Sequence, residues 1–324
     1  MPDPAEPLDD RSRHVVVVLN WNGRADTLVC VESILADPDA PQVLVVDNGS
    51  TDGTLDEVTR RWPGLPTVQT GENLGFAGGM NRGIAWARAR GAAVITVLNN
   101  DTVVPVGTMG VLRSAAREGA CAVSPEVRYR DEPDRVWFAG GTLSPPDWFP
   151  HHTPAARLAQ AEGDTRTVDV LSGCCVTAST EVWGAVGGFN ERYFLNFEDS
   201  EWSVRAARAG VSLRVRTDAV ILHAVSASFT GAAASLGTYY YVRNGLDFNR
   251  AAGGDSRARR RFVTRVARDA VARRRRERAW RAGARELRMI AHGWADYSRG
   301  RMGPAPARLA RTTARWASAG AGSP

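Results

Sequence analysis

No stretch of this sequence stays apolar long enough to span a bilayer, and the segment from Met1 to Arg13 is acidic and Pro-containing, without the apolar core of a signal peptide. Cytoplasmic residence is the expectation from those absences. Cysteine is scarce: Cys30 and Cys121 stand alone, and Cys174 and Cys175 are adjacent, which is poor geometry for a bridge. There is no Cys-x-x-Cys and no Cys/His spacing of a zinc site, so reduced, buried thiols are expected. A Gly-x-Gly-x-x-Gly after the first strand and the Gly-Lys-Ser/Thr of a P-loop are both missing, which argues against dinucleotide and ATP binding. No internal repeat is present.

What is there suits one α/β domain with an appendage. The chain has 324 residues, 44% of them hydrophobic and 23% charged, ordinary values for a globular protein. Its formal charge of +6 is misleading as a whole, because residues 255–288 hold fourteen Arg against Asp255, Asp269, Glu277 and Glu286. That local balance of +10 leaves about −4 for the remainder of a chain whose total is +6. The acidic body argues against a nucleic-acid-binding function.

His14 to Asn20 is a continuous β-branched run, the pattern of a strand buried on both faces, and Gln42 to Val46 and Ala93 to Leu98 repeat it. Helices are expected over Asp26–Leu35, Thr54–Trp62 and Gly75–Arg90, with a short strand over Thr67–Thr70. This alternation implies a parallel, doubly wound sheet with ligands at the strand C-terminal ends. Beyond Val123 the pattern loosens. Residues 130–154 read as loops and hairpins, Val168–Thr177 as a strand, Thr180–Val186 and Ser200–Ala209 as helices, and Ser212–Leu222 as a strand leading to His223. After Ser235 the chain turns helical and then basic, and the last twenty or so residues read as frayed.

Four strings carry chemistry. Asp47 ends a buried strand within Asp47-Asn48-Gly49-Ser50-Thr51-Asp52-Gly53-Thr54, where a carboxylate can accept hydrogen bonds from a base or ribose, or close an Asx-turn. Gly71 to Asn81 supplies glycines before a helix N-terminus, a setting that favours anions. Asn99-Asn100-Asp101 follows the central strand, and alternate residues of a short extended turn can both face a hard cation; a helix-capping turn is the plainer reading. Glu198-Asp199 lies between Tyr193, Phe194, Phe197 and a helix, where capping competes with a base whose proton affinity nearby aromatics would raise. His223 gains interest only from its order after these strings.

Taken in register, Val18 to Gly23, Asp47 to Thr54, Asn73 to Asn81, Asn99 to Asp101, Gly187 to Glu191, Glu198-Asp199 and His223 resemble the inverting family 2 nucleotide-sugar glycosyltransferases of GT-A fold. The resemblance covers roughly residues 14–250 and includes Tyr239 to Asn244. It implies a Rossmann-like, mostly parallel central sheet with a mixed acceptor-side half and a basic helical C-terminal segment. The implied organisation is a flexible N-terminus over 1–13, a transferase domain over 14–250, and a basic helical extension over 251–324 with a frayed end.

Carried over residue by residue, the resemblance makes Asp47 the nucleotide-binding acid, with Asn20, Asn22, Asn73, Gly75, Gly78, Asn81 and Asn100 around the donor. Asn99, Asp101 and His223 would hold Mg²⁺ or Mn²⁺, Asn99 standing where the family's metal motif has its first acid. Asp199 would be the catalytic base, Glu198 would position the acceptor, and Gly173 would sit in the acceptor-facing wall. The implied reaction is a single in-line displacement, with a dTDP-deoxyhexose such as rhamnose as first donor, a UDP-hexose next, and a hydroxyl of a lipid-linked glycan or secondary metabolite as acceptor. Peripheral membrane contact through 257–288 is a further expectation, and a non-catalytic nucleotide-sugar binder with a decayed metal site is the rival reading.

Overall fold

A computed structural model describes residues 13–153, 163–224, 231–276 and 280–320. Almost all of the N-terminal segment expected to be flexible, residues 1–12, lies outside them. The chain divides into two compact units: Met1–Thr142, Pro150–Asn190 and Trp202–Val225 form one, and Leu143–Phe149, Glu191–Glu201 and Ser226–Pro324 the other.

The first unit is built on a sheet. β1 (His14–Asn20), β2 (Gln42–Asp47), β3 (Thr67–Gln69) and β4 (Val94–Asn99) are parallel, in the spatial order β3-β2-β1-β4. α1 (Arg24–Leu35), α2 (Thr54–Arg61) and α3 (Gly75–Ala89) connect them. The alternation of side chains along a strand sorts the valines: Val15 and Val17 enter one apolar cluster with Met80 and Ile84 of α3, and Val16 and Val18 enter the other with Val31 and Ile34 of α1. α3 lies tight on the strands because a Cβ at Gly79 would collide with Leu19, and one at Gly83 with Val17.

Beyond β4 the sheet becomes mixed. A two-residue strand, β5 (Thr102–Val103), and α4 (Thr108–Ala115) lead to β6 (Cys121–Tyr129), with β7 (Val136–Phe138) against its end. The pair β8 (Gly141–Thr142) and β9 (His151–His152) forms a separate hairpin, and β10 (Thr165–Thr167) is an edge strand. β11 (Cys175–Ser179) runs antiparallel to both β4 and β6, and β12 (Ser212–His223) runs parallel to β6. The strand expected over Val168–Thr177 is therefore confined to its C-terminal part and extends to Ser179. Val170 and Leu171 are buried, but residues 168–171 divide their backbone bonds among Leu213, Gly141 and the Ser203 hydroxyl, so no single ladder forms. α5 (Thr180–Val186) follows, capped by the Ser179 side chain.

α6 (Glu198–Arg208) begins in the second unit and continues in the first. The rest of the second unit is helical: α7 (Gly231–Ala252), α8 (Ser256–Arg276), α9 (Trp280–Ser298) and α10 (Ala307–Gly320). Tyr239, Tyr240, Met289 and Leu309 form its core, with the fully buried Arg243 bonded to the Tyr239 hydroxyl at 3.0 Å and the Gly303 carbonyl at 2.6 Å. Part of the segment expected to be frayed is helical, as α10, and its last four residues lie outside the described residues. Leu309, Thr313 and Trp316 recur at helical spacing, the first two buried and the third half-buried, so the segment has a face to pack. Among the described residues, no helix is long and apolar enough to cross a membrane.

Candidate active site

Strand ends of the first unit meet at one edge of the sheet. After β1 the chain adds β2 and β3 on one side and β4 on the other, which makes the C-terminal end of β1 a topological switch point. Parallel register sets Asn20 beside Asp47 and Leu19 beside Asn99.

The polar groups there form a connected frame. Asn20 is fully buried; its Nδ2 donates to Asp47 Oδ1 at 3.0 Å and Ser50 Oγ at 2.9 Å, and its Oδ1 accepts from Gly23 N at 3.0 Å and Thr27 Oγ1 at 2.8 Å. Asn100 Nδ2 donates to Thr27 Oγ1 at 2.9 Å. Asp47 Oδ2 accepts from the Ser50 amide at 3.2 Å, so the carboxylate is oriented by Asn20 and by its own turn. Asn22, left-handed with φ 52°, accepts from the Thr51 amide at 2.8 Å and ties the two loops together. Asn20 and Asn100 thus act by holding Asp47 and the turns around it.

The Gly-rich entry to α3 is organised by a residue that sequence reasoning passed over. Asn48, buried, accepts from Leu74 N at 3.0 Å and donates to the Gly75 carbonyl at 3.0 Å and to Asn73 Oδ1 at 3.2 Å. Asn73 Oδ1 also accepts from the Gly75 amide at 2.8 Å, while Gly78 leaves room for Leu74. Asn81 clamps the backbone of Phe189 through two bonds of 2.8 Å, its Nδ2 donating to the carbonyl and its Oδ1 accepting from the amide. The only sequence signal for Asn48 was its place directly after Asp47.

Asp101 and His223 meet where the turn after β4 reaches the end of β12, with Asn99 closing β4 two residues before Asp101. β5 pairs with β12 so that Thr102 faces His223, and the Ala224 amide donates to the Asp101 carbonyl at 2.9 Å. His223 Nε2 stands 3.1 Å from Asp101 Oδ1, both side chains buried, with the Trp137 ring edge-on to the imidazole at 4.7 Å. Asp101 Oδ1 and His223 Nδ1 have no hydrogen-bond partner among the described residues. A buried carboxylate oxygen beside an imidazole is a donor set that would fit a divalent cation. Among the described residues no three His, Cys, Asp or Glu side chains cluster closely enough to hold a metal ion by themselves.

The acid pair belongs to the second unit. Asn196 and Phe197 are both left-handed, with φ 69° and 71°, and this unfavourable turn presents Glu198 and Asp199 at the start of α6. Asn244 of α7, another residue not singled out beforehand, holds the turn by donating to the carbonyls of Leu195 at 2.8 Å and Asn196 at 3.2 Å. The Phe197 ring packs on Phe248, Tyr241 and Phe149, and excludes water. Asp199 Oδ1 accepts from the Ser200 amide at 2.6 Å and from its hydroxyl at 3.1 Å. The raised proton affinity anticipated for this string falls on Glu198. Burial, and then the charge of Asp199, push its carboxyl well above the usual range, and its Oε2 has no hydrogen-bond partner among the described residues.

With this geometry described, comparison with known proteins is informative. The sequence model of the family described as glycosyl transferase family 2 matches residues 15–177. A Mycobacterium tuberculosis N-acetylglucosaminyl-diphospho-decaprenol L-rhamnosyltransferase is 32% identical over 206 residues, covering 56% of this chain and 66% of that protein. A Haloferax volcanii low-salt glycan biosynthesis hexosyltransferase is 23% identical over 219 residues, 64% of each chain. This chain therefore spans just under two thirds of the length of these relatives. Among solved structures, the Pyrobaculum calidifontis mannosyltransferase PcManGT with GDP-Man and Mn2+ superposes with a TM-score of 0.54 at 17% identity, over 92% of this chain and 91% of that one. GalNAc-T7 with UDP, GalNAc and Mn2+ gives 0.56 at 14% identity, over 76% and 54%.

Proposed function

The chain belongs to glycosyl transferase family 2 and has the GT-A fold, and from that premise we propose that it transfers a sugar, with inversion, from a nucleoside-diphosphate sugar to an acceptor hydroxyl. The observation that carries the reading is the buried Asp101–His223 pair, with an unpartnered carboxylate oxygen, at the edge of the sheet where Asp47 also lies. A dTDP-deoxyhexose such as dTDP-rhamnose is the first donor candidate, supported by the name of the Mycobacterium relative, and a UDP-hexose the second. The acceptor is a hydroxyl of a lipid-linked glycan, again by analogy with that relative, or of a smaller metabolite. The setting is the cytoplasmic face of a membrane, contacted peripherally through 257–288.

In this mechanism Asp47 accepts hydrogen bonds from the nucleoside, and Asn20, Ser50 and Asn22 keep its carboxylate in place. Asn73, Gly75 and Gly78 line the backbone turn at the start of α3, a helix N-terminus whose dipole suits a diphosphate. Asp101 and His223, with Asn99, would hold Mg²⁺ or Mn²⁺, which when bound offsets charge on the departing diphosphate. Asp199 takes the proton from the acceptor hydroxyl as that oxygen attacks the anomeric carbon. Glu198, whose carboxyl burial and the Asp199 charge push well above its usual range, orients the acceptor.

A thermal-shift panel of dTDP-, UDP- and GDP-sugars with and without Mn²⁺, followed by a transfer assay with the stabilising donor, tests this reading. The expected result is a cation-dependent rise in melting temperature for one donor class, followed by turnover. The absence of a shift with every donor would overturn it. Asn99 in place of an acid favours one alternative, a non-catalytic nucleotide-sugar binder, which would show the shift without turnover.

A further inference from the structure

The second unit contains a basic groove that the transfer chemistry does not use. Helix α8 and the segment Leu143–Phe149 enclose a cavity of about 620 Å³, within the range of small-molecule sites. Arg257, Arg260, Arg261, Arg265 and Arg268 line it, on one face of α8 at helical spacing. Its floor is aromatic: Phe149 and Phe262 stack with centroids 4.1 Å apart, and the Arg265 guanidinium lies 5.9 Å from the Phe262 ring.

Charge in this groove is far from balanced. Asp147 is the acid in the lining, and it meets Arg261 at 3.3 Å; Arg268 has Asp269 at 3.9 Å. Among the described residues Arg257, Arg260 and Arg265 have no ion-pair partner. Like charges three and four residues apart on a helix repel, so an aligned row of guanidiniums calls for a counter-anion. The choice of Arg is uninformative by itself, since the chain contains no lysine; the alignment and the missing carboxylates carry the argument. Planar guanidinium forks match phosphate oxygens two at a time.

Beside this groove lies a second one of about 550 Å³, lined by Val263, Ala267 and Val271 at i, i+4 and i+8. The two share Thr264 and Arg268, so a charged pocket runs into an apolar one along the same helix. We propose that they form one site for a phosphorylated lipid. The phosphate head would lie on Arg257, Arg260 and Arg265, and the first part of the apolar chain on Val263, Ala267 and Val271. This deepens the transfer reading and rests on it for the identity of the ligand as the lipid-linked acceptor.

The test is equilibrium binding to the full chain, without donor, of farnesyl diphosphate, farnesol and inorganic pyrophosphate, with phosphatidylglycerol and phosphatidylcholine vesicles as a separate arm. Farnesyl diphosphate is expected to bind more tightly than either farnesol or pyrophosphate. Arg260→Gln/Arg265→Gln should weaken it roughly tenfold or more, whereas Arg308→Gln/Arg311→Gln, which removes the same charge from α10, should not. Ala267→Glu puts a carboxylate at the junction of the grooves and should give a similar loss, which keeps the test decisive if the double variant does not fold. Equal losses in the α8 and α10 variants, or binding to phosphatidylglycerol vesicles with none to farnesyl diphosphate, would overturn the site. Groove binding without sugar transfer to any lipid acceptor would leave the site standing and defeat the transfer reading. Transfer without groove binding would do the reverse.

Discussion

His223 Nε2 lies 3.1 Å from Asp101 Oδ1, although the two residues are far apart in the chain. The pairing of β5 with β12 brings them together and buries both. Apart from that imidazole, this carboxylate oxygen meets no hydrogen-bond donor among the described residues, and a buried charge gains from a further positive partner. Asp101→Asn and His223→Ala are therefore expected to weaken Mn²⁺-dependent donor binding at least as much as the ~10–100-fold typical of outer-shell changes. Titration of donor with and without Mn²⁺ reads this. If both variants bind donor like the parent protein in Mn²⁺, the pair is structural.

Asp199→Asn is expected to leave donor binding nearly intact and to lower transfer by ~10²–10⁴-fold, the usual contribution of a general base. The amide can still accept the hydrogen bonds that Ser200 donates to Asp199, so the helix start should survive. Single-turnover transfer with donor affinity measured in parallel separates the two effects. Near-normal turnover would remove Asp199 from the chemistry.

Glu198 behaves differently from its neighbour. Its folded-state pKa is raised, so the folded protein holds a proton there that the unfolded chain releases above about 4.5. Stability linked to this group is full below that pH and is lost as pH rises toward the folded value. Glu198→Gln removes the ionisation while keeping the shape, so the variant should gain stability relative to the parent as pH rises from 5 to 8. Denaturant titrations at several pH values measure this, and parallel curves would show that Glu198 does not ionise on unfolding.

The parallel half of the sheet was readable because its signal is local. Runs such as Val15 to Val18 are β-branched on both faces, and no other element suits them. The mixed half was harder. The run from Val168 looks like a strand, but which neighbours take its amides depends on Gly141 and Ser203 in space. Likewise the strings that carry chemistry were visible as strings, while the direction of each side chain was not. Nothing in Asn99-Asn100-Asp101 says that Asn100 turns back to Thr27 while Asp101 meets His223. Nor does Glu198-Asp199 reveal which acid is buried, since that depends on the left-handed turn held by Asn244.

That turn supplies a third site for substitution. Asn244→Ala removes the donors to the carbonyls of Leu195 and Asn196, and buried carbonyls left unpaired cost about 1–3 kcal/mol. The left-handed residues Asn196 and Phe197 would relax, carrying Glu198 and Asp199 out of position. A fall in kcat with little change in donor KM is expected, alongside a lower melting temperature. A variant that melts earlier but keeps its kcat would limit Asn244 to a structural role.

His14 sets an acid limit on the fold. It opens β1 fully buried, with Nε2 2.8 Å from the Thr96 hydroxyl, which in turn lies 2.7 Å from the Thr177 hydroxyl, while Nδ1 has no partner among the described residues. Burial, reinforced by Arg113 and Arg117, lowers its pKa from 6.5 to about 3. Between those values the unfolded chain binds a proton that the folded protein refuses. Stability is therefore complete above 6.5 and falls by about 1.4 kcal/mol for each pH unit below it, until the folded group itself titrates. His14→Gln keeps a partner for Thr96 but cannot ionise, so it should be less stable than the parent at pH 7 and lose less on going to pH 5. Urea denaturation of both proteins at pH 7, 6 and 5 compares the slopes, and equal slopes would mean that His14 does not govern the acid sensitivity.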